Sequence, residues 1–433
     1  MQMRLTKLAA ATAVLSALVV GPALADLMVP SLSYRTGPYA PNGIPYADGF
    51  ADYFTLLNER DGGINGVKVN VVECETGYNT EKGVECYEST KGQGALVYHP
   101  LSTGITYQLI PKATADGIPV HSMGYGRTSA ADGSVFEWIF NYPGTYWDAA
   151  SIIVKHISDQ EGGDLNGKKL ALVYHNSAYG KEPIRTLEEL AKKHGYELTL
   201  LPVDHPGQEQ KSQWLQIRRD RPDYVIMWGW GVMNQVAVQE AANIRYPMDH
   251  FIGVWWSGSE NDVVPAGAGA DGYKAIAFHA PGTDFPLFDD LKKHVVDAGK
   301  AAGDGSHVGE VLYNRGMYAA ITVAEAIRKA QEMHDTKDIT PAQMRDGMEN
   351  SVIDEARWAE LGLPGYAPTI KVTCSNHGGP GLGAIQQWNA ETKTWSLVTD
   401  FMEADREVVD ALIKEDSEAY AKENNITPRD CAS

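Results

Sequence analysis

From Leu27 onward short apolar runs alternate with longer amphipathic ones through most of the sequence. Leu27–Ser33, Val67–Cys74, Ala95–Tyr98 and Pro119–Ser122 read as strands. Between them Pro45–Arg60, Asn79–Lys91 and Ser102–Asp116 have helical spacing. In the first of these helices Tyr46, Phe50, Tyr53, Phe54 and Leu57 share a face. Thr80 is the expected cap of the second. A second series runs Tyr146–Glu161 (helix), Lys169–Tyr174 (strand), Lys181–His194 (helix), Glu197–Pro202 (strand), Glu209–Arg219 (helix), Tyr224–Trp228 (strand), Val232–Asn243 (helix), His250–Val254 and Ala275–Ala280 (strands). Strands joined by helices of this length form parallel sheets covered on both faces. Two α/β units of similar size are therefore expected. They are followed by helices at Phe285–Ala302, Val308–Met333 and Pro341–Asn350, a hairpin at Ile385–Trp388 and Trp395–Thr399, and an acidic surface helix at Glu403–Glu423. In open α/β sheets ligands bind beyond the C-terminal ends of the strands, so two such edges facing each other make a cleft.

The first residues are of a different kind. Arg4 and Lys7 precede the apolar run Leu8–Val20, which is shorter than the ~20 residues of a membrane-spanning helix. Gly21-Pro22-Ala23-Leu24-Ala25 follows with small residues at its end. That order reads as a secretory leader, residues 1–25, leaving Asp26 as the first mature residue. Export permits disulfides, and the four cysteines (Cys74, Cys86, Cys374, Cys431) allow three pairings. Cys74 ends a strand-like run and Cys86 lies in the helix after it, so those two could meet. Cys374–Cys431 would then tie a late loop to the C-terminus. The cysteines and twelve histidines show no metal-ligand spacing, and no metal or cofactor is expected. Lys and Arg number 37 against 56 Asp and Glu, a net charge of −19. Nucleic-acid binding is driven by basic surface, so that partner is excluded.

Four stretches carry a family resemblance. They are Thr36-Gly37-Pro38-Tyr39-Ala40-Pro41-Asn42-Gly43 after the first strand, Asn58 to Gly66 around Asp61-Gly62-Gly63, Asp116-Gly117-Ile118-Pro119-Val120, and His175-Asn176-Ser177-Ala178-Tyr179-Gly180. Together, in this order, they resemble the type I periplasmic solute-binding proteins of ABC importers, in the branched-chain (hydrophobic) amino-acid branch. The likeness spans roughly residues 27–350, and Glu355–Gly383 is longer than the family pattern. The resemblance implies an α/β, two-lobed fold, each lobe a parallel sheet flanked by helices, with three hinge crossovers. Lobe 1 would comprise 27–143 plus 277–352. Lobe 2 would comprise 144–276 plus 353–433. It also implies a periplasmic monomer that traps a small molecule by hinge closure and delivers it to permease subunits in the inner membrane.

The same resemblance implies the site. Ser102, Thr103 and Gly104, with Gly124, Tyr125 and Gly126, match the lobe 1 positions that hold a ligand carboxylate. Independently, Ser102 or Thr103 caps a helix whose free N–H groups favour an anion. Tyr39 and Tyr179 match aromatic positions on the two lobes. Trp228 is expected in the core, and Trp230 facing the cleft. Trp255 falls where amino-acid binders place the acid that pairs with the ligand ammonium. An unpaired buried ammonium costs several kcal/mol, and an aromatic face returns only about 0.5–2 kcal/mol. The expected ligand is therefore a small carboxylate with an apolar or aromatic body, unless Asp148, Glu260 or Asp262 supplies the missing charge. The alternatives are a quaternary ammonium compound, a hydrophobic amino acid, a small amide, or a role as a ligand-delivering sensor. No Gly-x-Ser-x-Gly elbow or Walker loop supports an enzyme. Gly124-x-Gly126 and Gly229-x-Gly231 lack the third glycine of a dinucleotide fingerprint.

Overall fold

The strand β1 (Leu27–Ser33) is buried along its whole length, as its nearly unbroken apolar sequence requires. A computed structural model describes residues 25–431, so the expected leader falls, but for Ala25, outside the described residues. After β1 come α1 (Ala40–Arg60), β2 (Val69–Glu75), α2 (Thr80–Thr90), β3 (His99–Pro100), α3 (Thr103–Asp116), β4 (Val120–His121) and β5 (Ile139–Phe140). β1 lies between β2 and β3, parallel to both. A parallel bridge from Tyr98 to Val120 leads on to β4, which pairs parallel with β5.

The second unit comprises α4 (Tyr146–Gln160), β6 (Lys169–His175), α5 (Ala178–Lys181), α6 (Ile184–His194), β7 (Glu197–Val203), α7 (Lys211–Asp220), β8 (Tyr224–Trp228), α8 (Val232–Asn243), β9 (Phe251–Gly253), α9 (Glu260–Val263) and β10 (Lys274–Ala277). Its sheet runs β7-β6-β8-β9-β10 with parallel pairing throughout. The remaining elements are α10 (Pro286–Leu291), α11 (Val311–Met333), α12 (Pro341–Glu349), β11 (Val352–Ile353), α13 (Glu355–Glu360), β12 (Ile370–Lys371), β13 (Leu382–Asn389), β14 (Thr394–Leu397), β15 (Met402–Glu403) and α14 (Arg406–Glu423). β13 joins β10 antiparallel and forms a hairpin with β14, with Trp388 opposite Trp395.

α1 and α11 touch backbone to backbone. A Cβ on Gly49 would lie 2.0 Å from Tyr313 O, and one on Gly316 would lie 1.9 Å from Tyr46 O. Only glycine permits that approach. Both cysteine pairs are bridged, Cys74–Cys86 between β2 and α2 and Cys374–Cys431 near the end of the chain.

Several boundaries differ from the sequence expectation. α1 begins at Ala40, not Pro45, because Pro41 sits in its first turn, where a missing N–H costs nothing. Asn79, not Thr80, caps α2: it is extended, and its side chain accepts from the Lys82 N–H. The helix expected at Lys181–His194 is two helices parted at Pro183. The helix expected at Phe285–Ala302 is α10 followed by a wider five-residue turn. α14 starts at Arg406 and buries Val409, Leu412 and Ala421 rather than lying free on the surface. The chain re-enters the second sheet at Leu382, not at residue 353. Before that point Arg357 is ion-paired with Glu325 of α11, and Trp358 packs against Tyr318.

Candidate ligand-binding cleft

The C-terminal ends of β1, β3 and β4 face those of β6, β8, β9 and β10, and the loops beyond them are in direct contact. The first turn of α1 seats on the second unit. The Val232 N–H donates to Pro38 O at 3.1 Å, and Asn261 Nδ2 donates to Pro41 O at 2.7 Å. Tyr39 Oη hydrogen-bonds His175 Nε2 at 2.8 Å and His205 Nδ1 at 2.5 Å. Burial pushes the His175 imidazole down to about 4, so it is neutral near pH 7. On the other flank the buried Glu182 carboxyl accepts from Tyr107 Oη at 2.7 Å and Thr128 Oγ1 at 2.8 Å. A Cβ on Gly126 would lie 2.1 Å from that carboxyl, so close contact there depends on glycine.

Between these flanks lies a continuous set of rings from both units. Tyr125 stacks on Trp256 with centroids 4.6 Å apart and planes 18° apart. Trp230 meets the same ring edge-on at 5.4 Å and reaches Tyr34 at 6.1 Å. Trp255 stacks on Tyr146 at 5.5 Å and packs against Phe278 at 4.0 Å. Tyr39 tilts over Tyr78 at 4.3 Å. Gly124 has φ +65°, and a Cβ there would meet Phe278 at 3.0 Å and Trp255 Nε1 at 3.1 Å. Burial raises the phenols of Tyr34, Tyr125, Tyr146 and Tyr179, which stay protonated donors.

The expected residues fall into two groups. Ser102 caps α3 by accepting from the Ile105 N–H at 3.4 Å. Thr103 Oγ1 faces Tyr146 Oη at 3.4 Å and accepts from the Gly126 N–H at 3.3 Å. Gly104 follows in the first turn of α3. The Tyr179 hydroxyl donates to Gly229 O at 2.8 Å. These hydroxyls and that of Tyr39 already have protein partners. By contrast Trp255 Nε1 is buried with no hydrogen-bond partner; Tyr125 Oη and Trp230 Nε1 are buried beside Tyr34 Oη without a well-formed hydrogen bond; and Trp228 Nε1 is unpartnered in a ring fully buried beside Tyr146. A buried unsatisfied donor costs about 1–3 kcal/mol, so a cluster of them is unusual.

None of the three acids named as substitutes for the charge missing at Trp255 is unengaged. Asp148 accepts from the Thr145 N–H and Oγ1 and is ion-paired with Arg406. Glu260 accepts from the Val311 N–H at 3.0 Å, the first amide of α11. Asp262 accepts from Asn42, Asn234 and Ser259.

Sequence reasoning missed Arg315, Tyr146 and Tyr34, and singled out Trp256 only as an aromatic just past a strand end. Arg315 is fully buried. Its Nε donates to His279 Nε2 at 3.0 Å, while Nη1 and Nη2 have no partner. The guanidinium lies 5.5 Å from the Trp256 ring centre and 5.0 Å from that of Phe278. Burial lowers its pKa to about 10, which leaves it charged at neutral pH. A sequence signal existed: Arg315 is the single charge in the apolar stretch Val311–Ala324. Among the described residues no group of three or more His, Cys, Asp and Glu could hold a metal ion.

A family model described as periplasmic binding protein matches residues 27–393. The Leu/Ile/Val-binding protein homolog 7 of Brucella suis biovar 1 (strain 1330) is 24% identical over 247 residues, 55% of this chain and 61% of that protein. Its namesake in Brucella abortus (strain 2308) is 24% identical over 239 residues, 54% of this chain and 59% of that one. This chain thus spans about three fifths of the length of the curated relatives it matches. Among solved structures, one described as an ABC transporter permease from the Pseudomonas fluorescens group is 41% identical, with a TM-score of 0.86 over 95% of this chain and 100% of that chain. A branched chain amino acid ABC transporter from Thermus thermophilus with bound valine is 21% identical, with a TM-score of 0.74 over 90% of this chain and 98% of that one. A solute binding protein from R. palustris in complex with benzoate is 16% identical, with a TM-score of 0.67 over 88% of this chain and 98% of that one. The last two share the two-lobed fold.

Proposed function

This chain belongs to the periplasmic binding protein family, and from that premise we propose that it is the substrate-binding component of an ABC importer, trapping a small carboxylate with an apolar or aromatic body by hinge closure. The lobes are residues 27–143 with 277–352, and 144–276 with the segment that re-enters the second sheet at Leu382. The protein acts as a periplasmic monomer without catalysis and hands its ligand to a permease. Its leader is removed, so mass spectrometry of exported material should begin at Asp26; an intact Met1 would refute export by this route.

One observation carries the ligand class. The rings of Tyr125, Trp230, Trp255 and Trp256 meet between the lobes, the donors of the first three unsatisfied and that of Trp256 given to Tyr146 Oη, while Asp148, Glu260 and Asp262 are all engaged. Such a lining has donors for an anion and apolar faces for its body, and no unengaged carboxylate for an ammonium. Benzoate, bound by one protein of the same fold, has this composition, whereas valine adds an ammonium. The test is a thermal-shift screen over aromatic and aliphatic acids, amino acids, betaines and amides. A ligand at 100 times its Kd stabilises by about 2.7 kcal/mol. Stabilisation by acids lacking an ammonium is expected; stabilisation by amino acids or betaines alone would overturn the reading.

A further inference from the structure

A fully buried arginine with both terminal nitrogens unpaired is costly for the protein alone. Burying a charge without a partner is among the most unfavourable arrangements a core can hold. Among the described residues no carboxylate lies within ion-pair distance of Arg315. The titratable groups around it are phenols, Tyr366, Tyr46, Tyr318 and Tyr125, which burial keeps protonated and neutral. Ring faces recover only part of the cost.

The position is as specific as the chemistry. Arg315 lies near the start of α11, whose first amide is held by Glu260 at the start of α9, beyond the loop that follows β9. Trp256 from the loop between β9 and α9 and Phe278 from the end of β10 flank the guanidinium. Tyr125 from the loop after β4 stacks on the far partner of that pair, Trp256. Both sheet edges therefore converge on this one side chain. His279 sets its orientation. His279 Nδ1 faces Ala280 O at 2.9 Å, which leaves Nε2 to accept from Arg315 Nε. With Nε held, Nη1 and Nη2 are left as a two-pronged donor of the kind that matches a carboxylate. The Gly316 contact with Tyr46 O fixes the helix behind it.

We propose that Arg315 is the anion anchor of the cleft: its two terminal nitrogens bind the carboxylate of the incoming solute, and His279 is the positioning residue that aims them. The inference rests on the carboxylate reading above and assigns the charge recognition to α11 instead of the first turn of α3. The hydroxyls of Ser102 and Thr103 already have protein partners and serve the shape of the site.

The test compares wild type, Arg315→Gln, Arg315→Lys, Arg315→Met and Thr103→Val by calorimetry and thermal melting. The probes are benzoate, phenylacetate, octanoate and valine, each beside its primary amide. Wild type should prefer an acid to its amide by about 100-fold, the scale of a charge-assisted pair of hydrogen bonds. Arg315→Gln should erase that ratio, Arg315→Lys should restore part of it, and Thr103→Val should keep it. Probe-free Arg315→Met should melt at or above the wild-type temperature, because it removes an unpaired buried charge. If Arg315→Gln keeps the acid preference and Thr103→Val loses it, the anchor is α3: the inference fails and the carboxylate reading stands. Equal binding of acid and amide by wild type, or binding of none of the acids, overturns both. Clear destabilisation of probe-free Arg315→Met would mark Arg315 as structural and overturn the inference.

Discussion

Asp262 gives the interface between the lobes a measurable pH signature. It is completely buried. Its Oδ1 accepts from Asn42 Nδ2 at 3.0 Å and Asn234 Nδ2 at 2.9 Å, and its Oδ2 accepts from the Ser259 N–H at 2.9 Å and Oγ at 2.8 Å. These donors favour the carboxylate, but burial outweighs them and raises the pKa from 3.8 to about 6. A carboxyl whose folded pKa lies above its unfolded one binds its proton more tightly in the fold. Its contribution to stability is full below about pH 4 and is lost as pH rises through about 6. A shift of about two units corresponds to roughly 3 kcal/mol. Asp262→Asn has no proton to exchange, so its stability relative to wild type should improve by about that amount between pH 4 and pH 7. Guanidinium unfolding followed by tryptophan fluorescence at pH 4, 5, 6 and 7 measures this difference. Buried histidines, such as His175 at about 4 and His99 at about 3, act in the opposite direction. They stay neutral in the fold and cost stability as pH falls below 6.5, equally in both proteins, and so cancel. A difference that is flat with pH, or one in which wild type gains on the variant as pH rises, would refute the assignment.

Three further outcomes follow from the geometry. Trp230→Ala removes the ring that joins Tyr34 to Trp256, and should weaken binding of the acid found by thermal shift by about 2 kcal/mol, or ~30-fold; calorimetry showing less than threefold would exclude it from the cleft. Replacing Cys374 and Cys431 by serine opens a loop of 57 residues and should cost about 4 kcal/mol in the chain-entropy account, read by denaturant unfolding against the untouched protein; an unchanged midpoint would contradict it. Gly316→Ala forces a Cβ to 1.9 Å from Tyr46 O and should destabilise by about 3 kcal/mol, whereas Gly92→Ala, which meets nothing within 4 Å, should be close to neutral; similar melting of the two variants would refute the argument.

Much of the architecture was legible because parallel strands buried on both faces must be written as apolar runs, as Leu27–Ser33, Lys169–His175 and Tyr224–Trp228 are. The cysteine pairing followed from the strand and helix that hold Cys74 and Cys86. The weakly legible parts are set by long-range contacts. β5 and β12 have two residues each and exist only through partners far along the chain. In the cleft, Tyr125 and Trp255 were expected from the family resemblance and Trp230 from its place beyond a strand end, and all three rings are among those that meet between the two units. Arg315 escaped because its meaning lies in what does not face it, and a single charge on an apolar helix does not state whether a carboxylate waits opposite. Tyr39 was read as a ring over the ligand, but its hydroxyl binds two histidines whose sequence neighbourhoods give no hint that they converge.

The C-terminal helix α14 bears on how the two lobes can part. Its 18 residues make a rod about 27 Å long. It is pinned to one lobe by Arg127–Asp416 and by Ser417 on Asp132, and to the other by Lys193–Asp405 and Arg185–Glu415. A rod fastened to both jaws turns a gaping rotation into a sliding one, since one row of pins must release before the jaws can swing wide. Exposed ion pairs of this kind contribute about 0–1 kcal/mol each and weaken as salt screens them. With the hinge closure proposed above, ionic strength is expected to act on the travel of the jaws from outside the cleft, loosening the fastening without touching the rings between the lobes.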